Sequence, residues 1–100
     1  MGIGLYLLNT TNSTLSGNSI VNISGGMGST VESYVSNIRG PGGTGIGLML
    51  NASSGITIVD NRISEITGGC YDIQWITGAT GTCGNGIGIF LLNSDRNKLL

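Results

Sequence analysis

The fold is decided by a stretch that the chain carries almost three times. It reads GIGLYLLNTTNSTLSGNSIVNISGG at residues 2–26, GIGLMLNASSGITIVDNRISEITGG at 45–69 and GIGIFLLNSDRNKLL at 86–100. The second copy follows the first at an offset of 43 positions without a gap, and the third begins 41 positions later. Self-similarity at a fixed spacing is typical of repeat architectures. The chain therefore divides into repeat units 2–44, 45–85 and 86–100, and the last one stops in the middle of its unit.

Each repeat begins with alternating residues. Alternation over six or seven positions predicts a strand with one buried face. In the first repeat the expected inward residues are Ile3, Leu5 and Leu7, and the expected outward residues are Gly4, Tyr6 and Leu8. The equivalent residues of the other repeats follow the same assignment.

Two shorter strands follow in each repeat. One is expected around Leu15 and at residues 56–58, and the other carries Ile20 and Ile23 or their counterparts. Between them, Gly17-Asn18 and Asp60-Asn61 are turn pairs suited to left-handed backbone. Asn18 and Asn61 are expected to stack their amides in a hydrogen-bonded ladder at this corner. Three strands with such corners predict one turn of an all-β, right-handed parallel β-helix, whose successive turns stack about 4.8 Å apart.

The repeats carry a family resemblance. The pattern G-I-x-L-x-L … S/T-x-x-x-x-L/I-x-x-N-x-I-x-x-I-x-G-G resembles the parallel β-helix repeats of the pectate-lyase-like superfamily. It is most similar to the NosD-like carbohydrate-binding and sugar-hydrolase repeats of archaeal and bacterial surface proteins. The resemblance implies a module of a larger exported or cell-surface protein. The resemblance is specific for the fold but not for the function, because that superfamily contains lyases, hydrolases, adhesins and purely structural solenoids.

The segments between the repeats are longer than a minimal turn requires. Met27 to Thr44 and Cys70 to Asn85 are predicted to be loop insertions at the same place on successive repeats. In an alternative interpretation, residues 34–39 resemble the third strand, and each unit of 43 residues forms two thin coils. Cys70 and Cys83 bracket one of these segments and are a possible disulfide in an oxidising compartment.

Stacking of the repeats aligns outward residues into columns. Tyr6, Met49 and Phe90 form one column, next to an expected glycine column at Gly4, Gly47 and Gly88. In pectate-lyase-like enzymes the outer face of this sheet, walled by loops, holds the polysaccharide, and aromatic faces suit the apolar C–H face of a sugar. The candidate binding residues are Tyr6, Met49 and Phe90, with Tyr34, Trp75 and Asp72 from the inserted segments. The alternative is that the inserted loops cover the column, with Trp75 and Tyr34 packing on it.

The composition excludes several function classes. The chain has 19 glycines in 100 residues, 9% charged residues, a net charge of −1 and no histidine. A net charge of −1 does not provide the basic surface that nucleic-acid binding requires. The apolar stretches are too short to span a membrane. No cofactor is expected, and no metal site is expected because histidine is absent and the methionines lack a ligand spacing.

The acidic residues do not form a catalytic pattern. They are Glu32, Asp60, Glu65, Asp72 and Asp95, and stacking does not align them with one another. The sequence therefore predicts a structural or glycan-binding module without catalysis in this segment. Two alternatives stay open: part of a polysaccharide lyase or hydrolase whose catalytic coils lie outside this chain, or a solenoid that self-assembles through unpaired strand ends.

Overall fold

The chain is all-β in the residues that its computed structural model describes, which are 1–27, 42–69 and 83–100. No helix long and apolar enough to cross a membrane occurs in these ranges. The strands within them are β1 (Gly2–Leu8), β2 (Thr14–Ser16), β3 (Ser19–Ser24), β4 (Gly45–Asn51), β5 (Thr57–Val59), β6 (Arg62–Thr67), β7 (Gly86–Leu92) and β8 (Lys98–Leu99).

Equivalent strands of successive repeats pair with one another. The described strands form three parallel sheets, in the orders β1-β4-β7, β2-β5-β8 and β3-β6. Gly2 lies opposite Gly45 and Gly45 opposite Gly86, so the pairing register equals the offset between the sequence repeats. The predicted strands and their parallel stacking are confirmed.

Each repeat contributes one strand to each sheet, apart from the third sheet, where the described residues supply β3 and β6. β1 pairs directly with β4, and β4 pairs directly with β7. This register argues against two thin coils in each unit, because a second coil would separate β1 from β4. The inserted segments themselves lie mostly outside the described residues.

The core lies between the sheets and is deepest in the middle repeat. Ile20, Leu48, Leu50, Ile56 and Ile58 form the buried cluster. The middle repeat supplies four of these five residues because it is covered by a neighbouring repeat on both sides. Partly buried side chains from all three repeats pack against the cluster, namely Leu5, Leu7, Leu15, Ile23, Ile63, Ile66 and Ile89.

The corners use left-handed backbone at the same repeat positions. Gly17 (φ 65°) and Asp60 (φ 53°) confirm the predicted left-handed turn between the second and third strands. A further left-handed position, which the sequence did not predict, lies inside the third strand at Asn22 (φ 60°) and Glu65 (φ 56°). This conformation costs a residue with a Cβ roughly 1–2 kcal/mol, so the stacked corners impose it against local preference. The corner after the first strand adds two such columns: Asn9, Ala52 and Asn93, then Asn12, Gly55 and Arg96.

The expected outward glycine column is wrong for its first two members. A β-carbon on Gly4 would lie 2.6 Å from Cγ2 of Ile20, and one on Gly47 would lie 2.6 Å from Cγ2 of Ile63. Ile20 belongs to the core, so these glycines face the interior. The physical reason is space: without a side chain at these positions, the isoleucines of the third strand can pack against the backbone of the first sheet.

A ladder of glycines joins the ends of the repeats. The N–H of Gly43 donates to the carbonyl of Gly26 (2.7 Å), that of Gly69 to Gly43 (2.8 Å), and that of Gly84 to Gly69 (2.9 Å). Gly26 and Gly69 end the repeated stretches, whereas Gly43 and Gly84 precede the next ones. The residues at both ends of each inserted segment are thus tied into one stack, which we call the glycine ladder.

Candidate functional site

The outer face of the first sheet carries a set of uncharged side chains that we call the outer strip: Tyr6, Met49, Phe90, Leu8, Asn51 and Leu92. Tyr6 lies opposite Met49 and Met49 opposite Phe90, while Leu8 lies opposite Asn51 and Asn51 opposite Leu92. The strip is therefore three strands long and two side chains wide. Its residues alternate with the core-facing leucines of β1 and β4 and with Ile89 of β7, which directs them outward.

Much of the outer strip is open to solvent. Tyr6 is 45% exposed, Leu8 52% and Leu92 39%, whereas Met49 and Phe90 are half-buried. The alternative in which inserted loops cover the column concerns segments that lie mostly outside the described residues, and it stays a prediction. Single exposed apolar side chains are common on protein surfaces, whereas a group of them on one face is unusual and indicates a contact surface.

A hydrogen bond fixes the tyrosine of the strip. Nδ2 of Asn51 donates to the hydroxyl of Tyr6 at 2.9 Å, diagonally across the β1–β4 pair. Because an amide nitrogen can only donate, the phenol oxygen is the acceptor here and keeps its own proton as a donor. The ring of Tyr6 is thus held in place with its polar end beside an amide.

The corner that borders the strip contains a ladder of hydroxyl groups at one repeat position: Thr10, Ser53 and Ser94. Oγ of Ser53 accepts from the N–H of Thr10 (3.1 Å), and Oγ of Ser94 accepts from the N–H of Ser53 (3.0 Å). Each hydroxyl also donates to the carbonyl two residues earlier. Ser53 is fully buried, and these bonds satisfy it. Sequence reasoning did not identify this ladder, although the same alignment places a hydroxyl at this position in all three repeats.

The corner between the second and third strands contains an asparagine pair. Oδ1 of Asn61 accepts from the N–H and from Nδ2 of Asn18, both at 2.9 Å. Nδ2 of Asn61 donates to the carbonyls of Leu15 (2.7 Å) and Val59 (3.0 Å). One amide therefore links two repeats and closes its own turn, which is a structural role.

Replacing Asn61 with Ala is expected to lower the free energy of unfolding by about 1–2 kcal/mol, because four hydrogen bonds are lost at a partly solvated corner. Urea unfolding monitored by circular dichroism measures this. Asn18→Ala is the matched control, since Asn18 makes fewer bonds with its side chain, to Asn61 and Ser16. Equal losses for the two variants would contradict the central role of Asn61.

The other predicted residues stay untested. Tyr34, Trp75, Asp72 and Cys70 lie outside the described residues. Cys83 is described and is disulfide-bonded, but its predicted partner is Cys70, so the Cys70–Cys83 pairing stays a prediction.

The described acidic residues are spread over the corners and the third sheet. Asp60 and Glu65 occupy left-handed positions in different columns, and Asp95 lies 3.7 Å from Nε of Arg96 in an exposed ion pair. Within residues 1–27, 42–69 and 83–100, no three side chains of the His, Cys, Asp and Glu types are grouped to hold a metal ion. The chemistry available to the outer strip is therefore apolar contact, aromatic contact and neutral hydrogen bonding.

Comparisons with models of known protein families, with curated proteins and with solved structures give no match to this chain.

Proposed function

We propose that this chain is a non-catalytic module that binds glycans on the outer strip of a right-handed parallel β-helix. The parallel sheets, with equivalent strands paired at the repeat offset, support this closed form. The resemblance to pectate-lyase-like repeats supports the same form and an exported or cell-surface location. The predicted disulfide between Cys70 and Cys83 fits an oxidising compartment.

The proposal depends on one observation: the stacked column of Tyr6, Met49 and Phe90 on an open sheet face. Aromatic rings and a methionine present flat or adaptable apolar surface, which packs against the C–H face of a sugar ring. The stacked strands hold these side chains on a preformed surface, so binding requires little ordering of the protein.

The described carboxylates are not arranged for glycoside hydrolysis. Glycoside hydrolysis uses two carboxyl groups that flank one bond. The described carboxylates Asp60, Glu65 and Asp95 belong to different columns of the stack. None of them occupies a position in the outer strip.

Tyr6→Ala and Phe90→Ala are each expected to weaken retention by a polysaccharide about 3- to 10-fold, because each removes one ring from the column. Affinity electrophoresis measures this in native gels containing cellulose ether, galactomannan, xylan or polygalacturonate. Thr14→Ala is the matched control, since Thr14 is an exposed residue of the second sheet. Thermal unfolding of each variant checks that the fold survives. Retention of folded Tyr6→Ala and Phe90→Ala at the level of the unaltered chain would refute the proposal.

A further inference from the structure

We infer that the glycan bound by the outer strip is an uncharged, extended polysaccharide that runs across the strands, anchored by Tyr6 and Asn51. This inference rests on the proposed function and names its ligand class. It depends on three observations: the charge of the strip, its shape, and the position of its polar pair.

The absence of charge on the strip favours a neutral ligand over an acidic one. All six positions of the outer strip are uncharged. Among the described cations, Arg62 and Lys98 belong to the third and second sheets, and Arg96 is beside Asp95 at the corner. A carboxylated glycan on the strip would lose water around its charges without gaining a cationic partner, which is unfavourable. A neutral glycan has no such cost.

The shape of the strip sets the direction of the glycan. In β1 and β4 the strip is two side chains wide, because it ends at the left-handed corner of Asn9 and Ala52 on one side and at the inward-facing Gly4 and Gly47 on the other. Across the strands it contains three stacked positions, separated by about 4.8 Å. This spacing is close to the length of one sugar ring in an extended chain. Successive rings therefore lie over Tyr6, Met49 and Phe90.

The polar pair gives the strip one point of hydrogen bonding. Asn51 is the polar member of its column, whose other two members are Leu8 and Leu92. The hydroxyl of Tyr6 accepts from Asn51 and keeps its own proton as a donor, and Oδ1 of the same Asn51 amide is an acceptor. A sugar hydroxyl both donates and accepts, so this pair suits one hydroxyl of a ring. A site built to bond a hydroxyl discriminates strongly against ligands that lack it.

The ligand class is tested by affinity electrophoresis of the unaltered chain in gels of neutral and of acidic polysaccharide, at low and at raised salt. We expect retention by galactomannan, xylan or cellulose ether, little changed by salt, and at least about 10-fold weaker retention by polygalacturonate or alginate. Preferential retention by the acidic polymers that salt abolishes would overturn the inference while leaving the proposed function intact. Absence of retention by every polymer would instead overturn the proposed function itself.

The anchor is tested with two variants that borrow residues from the chain's own columns. Tyr6→Phe copies Phe90 and removes only the hydroxyl, and Asn51→Leu copies Leu8 and Leu92. We expect each to weaken retention by neutral polysaccharide about 3- to 10-fold, and the double variant to be no weaker than about the worse single one, because the two residues act as a pair. Thr14→Ala, at an exposed residue of the second sheet, serves as the control with unchanged retention. Full retention by folded Tyr6→Phe, or additive losses in the double variant, would overturn the anchor.

Discussion

Leu50→Ala is expected to lower the free energy of unfolding by about 3 kcal/mol, because it removes a fully buried side chain and leaves a cavity between three strands. Leu50 lies in the first sheet between Leu7 and Leu91, and its side chain belongs to the core cluster. Denaturant unfolding followed by circular dichroism measures the loss. The corresponding fall in Tm is expected to exceed about 10 °C for a chain of this size.

The matched control is Leu91→Ala, which makes the same chemical change at the same repeat position. Leu91 is 43% exposed, whereas Leu50 is 0% exposed. Because Leu91 is only about half removed from water, its truncation loses about half of the free energy of burying a leucine side chain. Solvent also fills the space that the side chain leaves. We therefore expect Leu91→Ala to lower the free energy of unfolding by about 1 kcal/mol. Losses of equal size at the two positions would mean that the stack does not bury its middle repeat.

The register of the sheets was predictable from the sequence because a parallel stack turns a sequence offset into a spatial pairing. The offset from Gly2 to Gly45 reappears as the pairing of β1 with β4, and the pairing of Gly45 with Gly86 continues it. A slip by one residue would turn Leu48 and Leu50 outward, so the buried face fixes the register. The same argument predicted the column of the outer strip.

The direction of Gly4 and Gly47 was not predictable from alternation. The prediction assumed that alternation runs unbroken along the strand, but Gly4 and Leu5 both face the interior. Because glycine has no side chain, the pattern of apolar and polar residues does not indicate which face of the strand a glycine lies on. The pattern therefore cannot show where the alternation is broken. The close approach of Ile20 becomes visible only when the third strand is placed against the first.

The polar contacts of the candidate site were only partly predictable. The hydroxyl column of Thr10, Ser53 and Ser94 is visible in the aligned repeats. Its role is not visible there, because each of these hydroxyls can bond its own turn, and those of Ser53 and Ser94 also accept from the preceding repeat. The bond between Asn51 and Tyr6 joins residues that do not occupy the same repeat position. An alignment of repeats places residues in columns, and it carries no information about diagonal contacts.

The second large effect is expected at the glycine ladder. A β-carbon on Gly69 would overlap the carbonyl oxygen of Gly26 and lie 2.6 Å from that of Gly25. Because both obstacles are backbone atoms, no side-chain rotation relieves the overlap, and the hydrogen-bonded stack through Gly43 has to open. Gly69→Ala is therefore expected to lower the free energy of unfolding by about 3 kcal/mol or more, measured by urea unfolding.

Gly26→Ala separates this packing effect from the general effect of replacing glycine. Gly26 occupies the same repeat position as Gly69, but a β-carbon there would have no described atom within 4 Å. Neither glycine has a positive φ, so alanine is compatible with the backbone at both positions. Gly26→Ala is expected to be neutral or slightly stabilising, since alanine restricts the unfolded chain more than glycine does. If Gly69→Ala were as well tolerated as Gly26→Ala, the repeats could not be stacked as closely at this ladder as the contact between Gly69 and Gly26 requires.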